Sequence, residues 1–234
     1  MPKSKVYGHV FDDETERNVL KLKSDGYISE LLGPIGTGKE AYVFYSHDQH
    51  NNTVAVKIHR HHIGAFKQIP TYLRLRGTGS RGYIKRIDDW TRYEFNFMSR
   101  AFNVGVSVPE PMRNYKNIIV MAFIGEDDVP AKPAVQDRNF EVDSWYKKIT
   151  DVIVLLGRRR IIHGDLSPYN ILNLKGNPFF IDFSQALKLS NMTLPYLVRD
   201  ITTINSWFKS LGFADTKSED ELIKLIDPLL LNEQ

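Results

Sequence analysis

With 234 residues, 42% of them hydrophobic and 25% charged, the chain has the size for one large domain or two small lobes and the composition of an ordinary globular protein. It holds no cysteine, which excludes disulfides, thiolate metal sites and cysteine nucleophiles and points to an intracellular setting. There is no apolar h-region at the N-terminus and no run of about 18 apolar residues, so neither a signal peptide nor a membrane span is expected.

In chain order, Asp12 or Asp13 is placed to cap a helix with an acidic first turn, with Val19, Leu20 and Leu22 on its apolar side and Gly26 at its end. Tyr27 to Leu32 reads as a strand entering the glycine-rich run Gly33-Pro34-Ile35-Gly36-Thr37-Gly38-Lys39-Glu40, whose backbone amides can fold over phosphate oxygens while Thr37 and Lys39 add a hydroxyl and a charge. Gly33 to Lys39 also fits the P-loop up to its last position, but that position is Glu40 rather than Ser or Thr. A P-loop moreover opens a helix, whereas Ala41 to Ser46 reads as a strand. Thr53 to His59 alternates, which sets Val54, Val56 and Ile58 on one face and Ala55 and Lys57 on the other. V-A-V-K matches the signature of a strand lysine that reaches α- and β-phosphates. Such a lysine needs a carboxylate, and the helix expected over Trp90 to Phe102 offers Glu94 on an otherwise apolar face.

Arg60 to Asp89 is long and poor in apolar periodicity, and it carries Arg60, Lys67, Arg74, Arg76, Arg81, Lys85 and Arg86 against Asp88 and Asp89. A segment of this kind suits RNA phosphates, the nucleotide, or plain solvation. His59, His61 and His62 are a weak metal candidate, with no acidic partner placed nearby. Val106 to Pro111 reads as an extended edge and Asn117 to Ile124 as a buried strand, followed by an acidic, proline-bearing linker over Gly125 to Asn139. Asp143 to Leu156 reads as a helix that leads through Arg158, Arg159 and Arg160, a charge cluster at its C-terminus.

The stretch Ile161 to Leu172, IIHGDLSPYNIL, has the H-x-D-L-x-x-x-N spacing of a phosphoryl-transfer loop. Asp165 can accept a hydroxyl proton in line with a γ-phosphate, and Asn170 can turn its amide oxygen to Mg²⁺. Ile171–Leu174 and Phe179–Asp182 flank the turn cluster 175–178, so a hairpin with a four-residue loop is expected, with Leu174 opposite Phe179 and Ile171 opposite Asp182. That register brings Asn170 and Asp182 to one end of the hairpin. Leu194 to Leu211 and Asp220 to Leu231 read as two closing helices, and no A-P-E follows Asp182, so a peptide-binding activation segment is missing.

Together, GPIGTGKEAYVF, AVKIH, the basic insertion before a Glu-bearing helix, VMAFIGEDDVPA, HGDLSPYNIL and FFIDFSQA resemble the RIO family of atypical serine/threonine protein kinases, from about Val10 to Leu211. The resemblance is nearest to the first branch, which lacks an N-terminal winged helix, and none is expected before Gly33. The resemblance implies an α+β, small two-lobed protein-kinase-like fold that lacks the activation segment and peptide-binding subdomains. Its N-terminal lobe would be residues 1–121, with a flexible basic insertion at about 62–88, and its C-terminal lobe residues 122–234. ATP would lie between the lobes with Mg²⁺, or with Mn²⁺. Ile35, Gly36, Thr37, Gly38, Lys39, Lys57, Glu94, Ala122 and Ile124 would bind the nucleotide, the last two through backbone groups facing adenine. Lys57 and Glu94 would lock together, Asp165 would be the catalytic carboxylate, and Asn170 and Asp182 the metal ligands. Asp182 would also accept the phosphoryl group in an ATPase cycle, with Ser80, or Thr71 or Thr78, as an autophosphorylation site. The resemblance further implies a cytoplasmic role in small ribosomal subunit maturation, with the pre-ribosomal particle and its RNA as partners and no membrane. Pro168 departs from the pattern, where an acidic residue is expected. Two other readings remain: a small-molecule phosphotransferase of the aminoglycoside or choline kinase type, and an assembly module that uses ATP as a clip with little turnover.

Overall fold

The computed structural model describes residues 11–38, 40–61 and 83–231. The chain divides into two compact units: the residues up to Phe95 together with Glu110–Phe123, and Asn96–Pro109 together with the residues from Ile124 onward.

The first unit is built on helix α1 (Asp13–Ser24), strands β1 (Gly33–Thr37), β2 (Ala41–His47) and β3 (Thr53–His59), helix α2 (Tyr83–Asn103), and strands β4 (Pro111–Tyr115) and β5 (Ile118–Ala122). The division between units runs through α2, after Phe95. Asp12 caps α1 by accepting from the Thr15 amide at 2.7 Å, three acidic residues fill the first turn, and Gly26 turns the chain away at φ 79°. The five strands form one antiparallel sheet in the order β1-β2-β3-β5-β4. Val19 and Leu22 of α1 pack with Phe44, Val54, Val56, Ile58, Ile118 and Val120 on one face of this sheet. The alternation in β3 therefore does what its period requires, and Lys57 and His59 look to the other face.

Three expectations for this unit need correction. Tyr27–Leu32 is not a strand: it follows β2 through single bonds from the Ser29 and Leu32 amides to the His47 and Tyr45 carbonyls. The strand is the glycine-rich run itself, bulged between Pro34 and Gly36, because β2 supplies the partner that extended glycines need. Helix α2 begins at Tyr83, seven residues before Trp90, so residues 83–88 are helical rather than part of an insertion; Ile87 is already buried, and the Thr91 hydroxyl donates back to its carbonyl. The edge strand is Pro111–Tyr115 rather than Val106–Pro111, with proline at its first residue, where a missing N–H costs least.

The second unit contains the short strands β6 (Gly125–Glu126), β7 (Val129–Pro130) and β8 (Lys132–Pro133), helix α3 (Val142–Arg158), strands β9 (Ile161–Ile162), β10 (Ile171–Leu174), β11 (Asn177–Phe180) and β12 (Leu187–Lys188), and helices α4 (Leu194–Ser210) and α5 (Glu219–Ile226). Trp145, Ile149 and Ile153 of α3, Ile201, Ile204 and Phe208 of α4, and Leu222 and Ile223 of α5 are buried. The segment expected as a linker is instead ordered: β6 pairs with β7, and β8 joins β10 and β11 as a third strand. The final helix stops at Ile226, since Pro228 cannot continue it, and a 3₁₀ turn follows over Pro228–Leu231. Two of the three arginines at the end of α3 tie down the C-terminal segment, with Arg158 donating to the Leu225 carbonyl and Arg160 paired with Asp227. Among the described residues no helix is long and apolar enough to cross a membrane.

Candidate active site

In the first unit, Lys57 Nζ lies 2.5 Å from Glu94 Oε1, with the two side chains 9% and 4% exposed. Removed from water, a lysine and a carboxylate tolerate burial only as a pair. Glu94 holds a second partner that the sequence did not suggest, His59 Nε2 at 2.8 Å from Oε2. The glycine-rich turn is closed by the Gly38 amide on the Ala41 carbonyl at 2.9 Å, and the chain then enters β2 rather than a helix, so the P-loop reading is excluded. Gly36 and Gly38 line this turn, Ile35 and Thr37 are backbone members of β1, and Lys39 lies outside the described residues. Ser80, Thr71, Thr78, His62 and the basic stretch up to Gly82 lie outside them too.

At the end of β5, the Ala122 amide donates to the Glu110 carbonyl at 2.8 Å. In the second unit, the Ile124 carbonyl accepts from the Ala131 amide at 2.9 Å. One backbone group of each residue expected to face adenine is thus committed to the chain itself.

The second unit carries the H-G-D loop. His163, 2% exposed, sets Nε2 3.0 Å from the Ile181 carbonyl and packs against Phe183 with the rings tilted at 49°. Gly164 sits at φ 82°, and a Cβ there would fall 2.2 Å from the Gln185 carbonyl oxygen, so only glycine fits. Asp200 of α4, 2% exposed, accepts from the Gly164 amide at 2.7 Å and the Leu166 amide at 3.0 Å, and Arg199 donates to the Gly164 carbonyl. Asp165 is therefore flanked on both sides by residues whose amides are tied to one carboxylate. Sequence reasoning passed over Asp200, although a carboxylate spaced with Leu197, Ile201 and Ile204 on the buried face of α4 is the same kind of signal that identified Glu94.

Asn170 donates through Nδ2 to the Asp165 carbonyl at 2.8 Å and to its carboxylate at 3.2 Å, which leaves Oδ1 as the end available to a cation. The hairpin that follows differs from the expected one. Leu174 pairs with Asn177 and Ile171 with Phe180 across a two-residue turn, Lys175-Gly176, at φ 52° and 75°. Positive φ at both positions matches the right-handed twist of the strands and displaces the four-residue loop. The Ile181 amide still donates to the Asn170 carbonyl at 3.0 Å, so Asp182 stands one residue beyond Asn170's partner. Asp182 adopts left-handed geometry at φ 65° and accepts from the Ser184 amide at 3.2 Å.

The electrostatics fit a cation. Asp165 is exposed, but loss of hydration around its carboxyl raises its pKa above the usual carboxylate range and the negative charge of Asp182 adds to the rise; His163, Arg199 and the Asn170 bond pull the other way without cancelling it. The Asp182 carboxylate and the Asn170 amide oxygen, beside the Asp165 carboxylate, are oxygen donors suited to Mg²⁺, a hard metal that takes oxygen ligands and keeps water. His59 and His61 do not form a metal cluster: they pair with Glu94 and Asp12 respectively, and the described residues hold no other group of three or more potential His, Asp or Glu ligands.

A twisted antiparallel sheet with a buried strand-lysine–helix-glutamate pair, and a helical unit with an H-G-D loop followed by a metal-ready hairpin, define the protein-kinase-like class of phosphotransferases. The model of the RIO domain matches residues 42–222. A RIO-type serine/threonine-protein kinase of Haloferax volcanii is 34% identical over 214 residues, covering 89% of this chain and 73% of its own length. The serine/threonine-protein kinase rio1 of Schizosaccharomyces pombe is 31% identical over 227 residues, 93% of this chain and 46% of that one, so the chain spans less than half of this longer relative. Among solved structures, the Rio2 kinase–ADP/Mg²⁺–phosphoaspartate complex of Chaetomium thermophilum superposes with a TM-score of 0.73 at 24% identity, over 99% of this chain and 74% of that one, a likeness of fold. The chain belongs to the RIO family of serine/threonine-protein kinases.

Proposed function

We propose that the chain binds Mg·ATP and transfers the γ-phosphoryl group, with Lys57 on the α- and β-phosphates, Asp165 orienting the nucleophile, and Asn170 and Asp182 holding the metal. The observation that carries this reading is the grouping of Asp165, Asn170 and Asp182: Asn170 Nδ2 is bonded to Asp165, the charge of Asp182 acts on Asp165, and Asp200 ties the amides on either side of Asp165. When bound, Mg²⁺ supplies charge neutralisation at the phosphates. The protein's own part is to hold Lys57 against Glu94 and to keep Asp165 at the acceptor. Relatives named as serine/threonine-protein kinases favour this reading over a small-molecule phosphotransferase.

The fate of the phosphoryl group has two forms. In one, an acceptor hydroxyl gives its proton to Asp165 as its oxygen bonds to Pγ and the bond to the β-phosphate oxygen breaks, releasing ADP. In the other, an oxygen of the Asp182 carboxylate bonds to Pγ as ADP leaves, and water later attacks phosphorus to release phosphate and restore the carboxylate. The structurally similar Rio2 kinase complex is described as containing phosphoaspartate, which favours the second form. Mg·ATP incubation followed by hydroxylamine separates them: an acyl phosphate on Asp182 is cleaved and is absent in Asp182→Asn, whereas a phosphoester, with Ser80 as the favoured site, survives. Label that resists hydroxylamine throughout leaves serine/threonine phosphorylation as the activity and removes the aspartyl intermediate.

Cytoplasmic action on the pre-ribosomal small subunit, including contact with its RNA, completes the proposal and rests on the family resemblance. Co-sedimentation with purified pre-ribosomal particles tests it; absence from those particles in the presence of ATP would contradict it.

A further inference from the structure

The carboxylate that holds Lys57 is itself held by a second residue of the same strand, His59. On β3 a period of two sets Lys57 and His59 on one face, about 7 Å apart along the strand, and Glu94 reaches between them from α2. Oε1 takes Lys57 at 2.5 Å and Oε2 takes His59 Nε2 at 2.8 Å. His59 is 1% exposed and Glu94 3%. The imidazole has little freedom to do anything else. Its backbone amide donates to the Asn117 carbonyl at 2.9 Å, its carbonyl accepts from Asn117 Nδ2 at 2.8 Å, and its ring packs on Trp90 at 4.9 Å between centroids. Asn117 is in turn fixed to α1, donating to Thr15 Oγ1 and accepting from Asn18 Nδ2, each at 3.0 Å. Among the described residues the Nδ1 atom of His59 is buried with no partner, and the ring's one side-chain hydrogen bond is the one to Glu94.

A carboxylate held at one oxygen can still swing about its last torsion, whereas one held at both oxygens presents a fixed acceptor. We propose that His59 is a positioning residue of the nucleotide site: through Nε2–H it clamps the second oxygen of Glu94 and thereby fixes the ammonium group of Lys57 toward the phosphates. The inference rests on the Lys57 role proposed above. It gives the AVKIH stretch a second working residue and connects α1, through Asn117 and His59, to the phosphate-binding lysine.

The test uses the full chain, with Mg·ATP affinity measured by titration and ATP turnover by released phosphate. His59→Phe keeps a ring against Trp90 but removes the donor, and should lower turnover about tenfold and weaken Mg·ATP binding, in the manner of Glu94→Ala but more mildly. His59→Gln, whose amide nitrogen reaches the same point, should recover turnover to within about threefold of the parent. In a Glu94→Ala background, His59→Phe should add nothing, because the two act as a unit. Nitrogen-15 NMR of the parent should find the His59 proton on Nε2, with that preference lost in Glu94→Ala, a readout that stands even if His59→Phe fails to fold. Parental turnover in His59→Phe, an equal loss in the Glu94→Ala background, or an Nδ1–H tautomer in the parent would each overturn the proposal. Lys57→Ala serves as the separate control: if it leaves affinity and turnover unchanged, the role of Lys57 fails, while the tautomer measurement still decides whether His59 clamps Glu94.

Discussion

Replacing Asp200 tests how the H-G-D loop is built. The parent carboxylate accepts the Gly164 amide at 2.7 Å and the Leu166 amide at 3.0 Å in a site only 2% exposed. Asp200→Asn keeps one acceptor oxygen and turns an NH₂ group toward the other amide, so one buried donor loses its partner. A hydrogen bond to a charged group contributes about 1.5–3 kcal/mol, and an orphaned buried donor costs about 1–3 kcal/mol. Part of that is returned, because burial raises the Asp200 pKa despite the opposing effects of His163, of the two amides and of Arg199, so the ionised form is itself costly. The expected net loss is about 2 kcal/mol for Asp200→Asn and about twice that for Asp200→Ala, which orphans both amides. Since the two amides flank Asp165, turnover should fall at least tenfold while Mg·ATP affinity stays within a few-fold. Urea unfolding with a constant m-value gives the stability term, and single-turnover kinetics with a nucleotide titration gives the split. Stability and turnover both within twofold of the parent would refute the idea that Asp200 holds the loop.

Other outcomes follow from named contacts. Gly164→Ala puts a Cβ 2.2 Å from the Gln185 carbonyl at φ 82°, and should cost about 3 kcal/mol and most activity; a fully active Ala variant with parental urea stability would contradict this. Lys57→Ala should weaken both nucleotide binding and turnover, and a double-mutant cycle with Glu94→Ala should return a coupling of about 1–3 kcal/mol; additive losses would rule out the pair. Burial pushes the Asp12 carboxyl up, but the Thr15 amide, the charge of His61 and the Thr15 hydroxyl outweigh it, so its pKa in the fold is lowered. Its contribution is therefore full above the ordinary pKa of 3.8 and is lost as pH falls through the lower folded value. Asp12→Asn should narrow the stability difference between neutral pH and acid below that value, and an unchanged acid profile in urea titrations would count against the cap.

What was readable in the sequence was local or periodic. His163, Gly164, Asp165 and Asn170 lie within eight residues of one another, so spacing alone states their chemistry, and the alternation of Val54, Val56 and Ile58 against Lys57 needs only the strand period. Glu94 could be chosen because an acidic residue on an apolar helix face demands a partner. The same reasoning applied to Asp200 would have found it, but its partners are backbone amides more than thirty residues away, which no pattern announces. His59 and Asn117 were hidden for a similar reason, since their roles arise where β3, β5, α1 and α2 converge. The hairpin register slipped because Lys175-Gly176 lacks the Asn-Gly or Asp-Gly signature, yet both residues adopt positive φ. Helix α2 starts early because Ile87 finds a buried place, which outweighed the charged, glycine-bearing sequence ahead of it.

The most direct test of the account is the pair of numbers for Asp165→Ala: the dissociation constant for Mg·ATP and the rate of transfer from γ-labelled ATP, measured on the same full-length preparation as the parent. Asp165 is proposed to orient the nucleophile rather than to hold the nucleotide, so affinity should stay within a few-fold while transfer, which general-base positioning speeds by about 10²–10⁴-fold, falls accordingly. Near-parental transfer by Asp165→Ala would contradict the account at its centre.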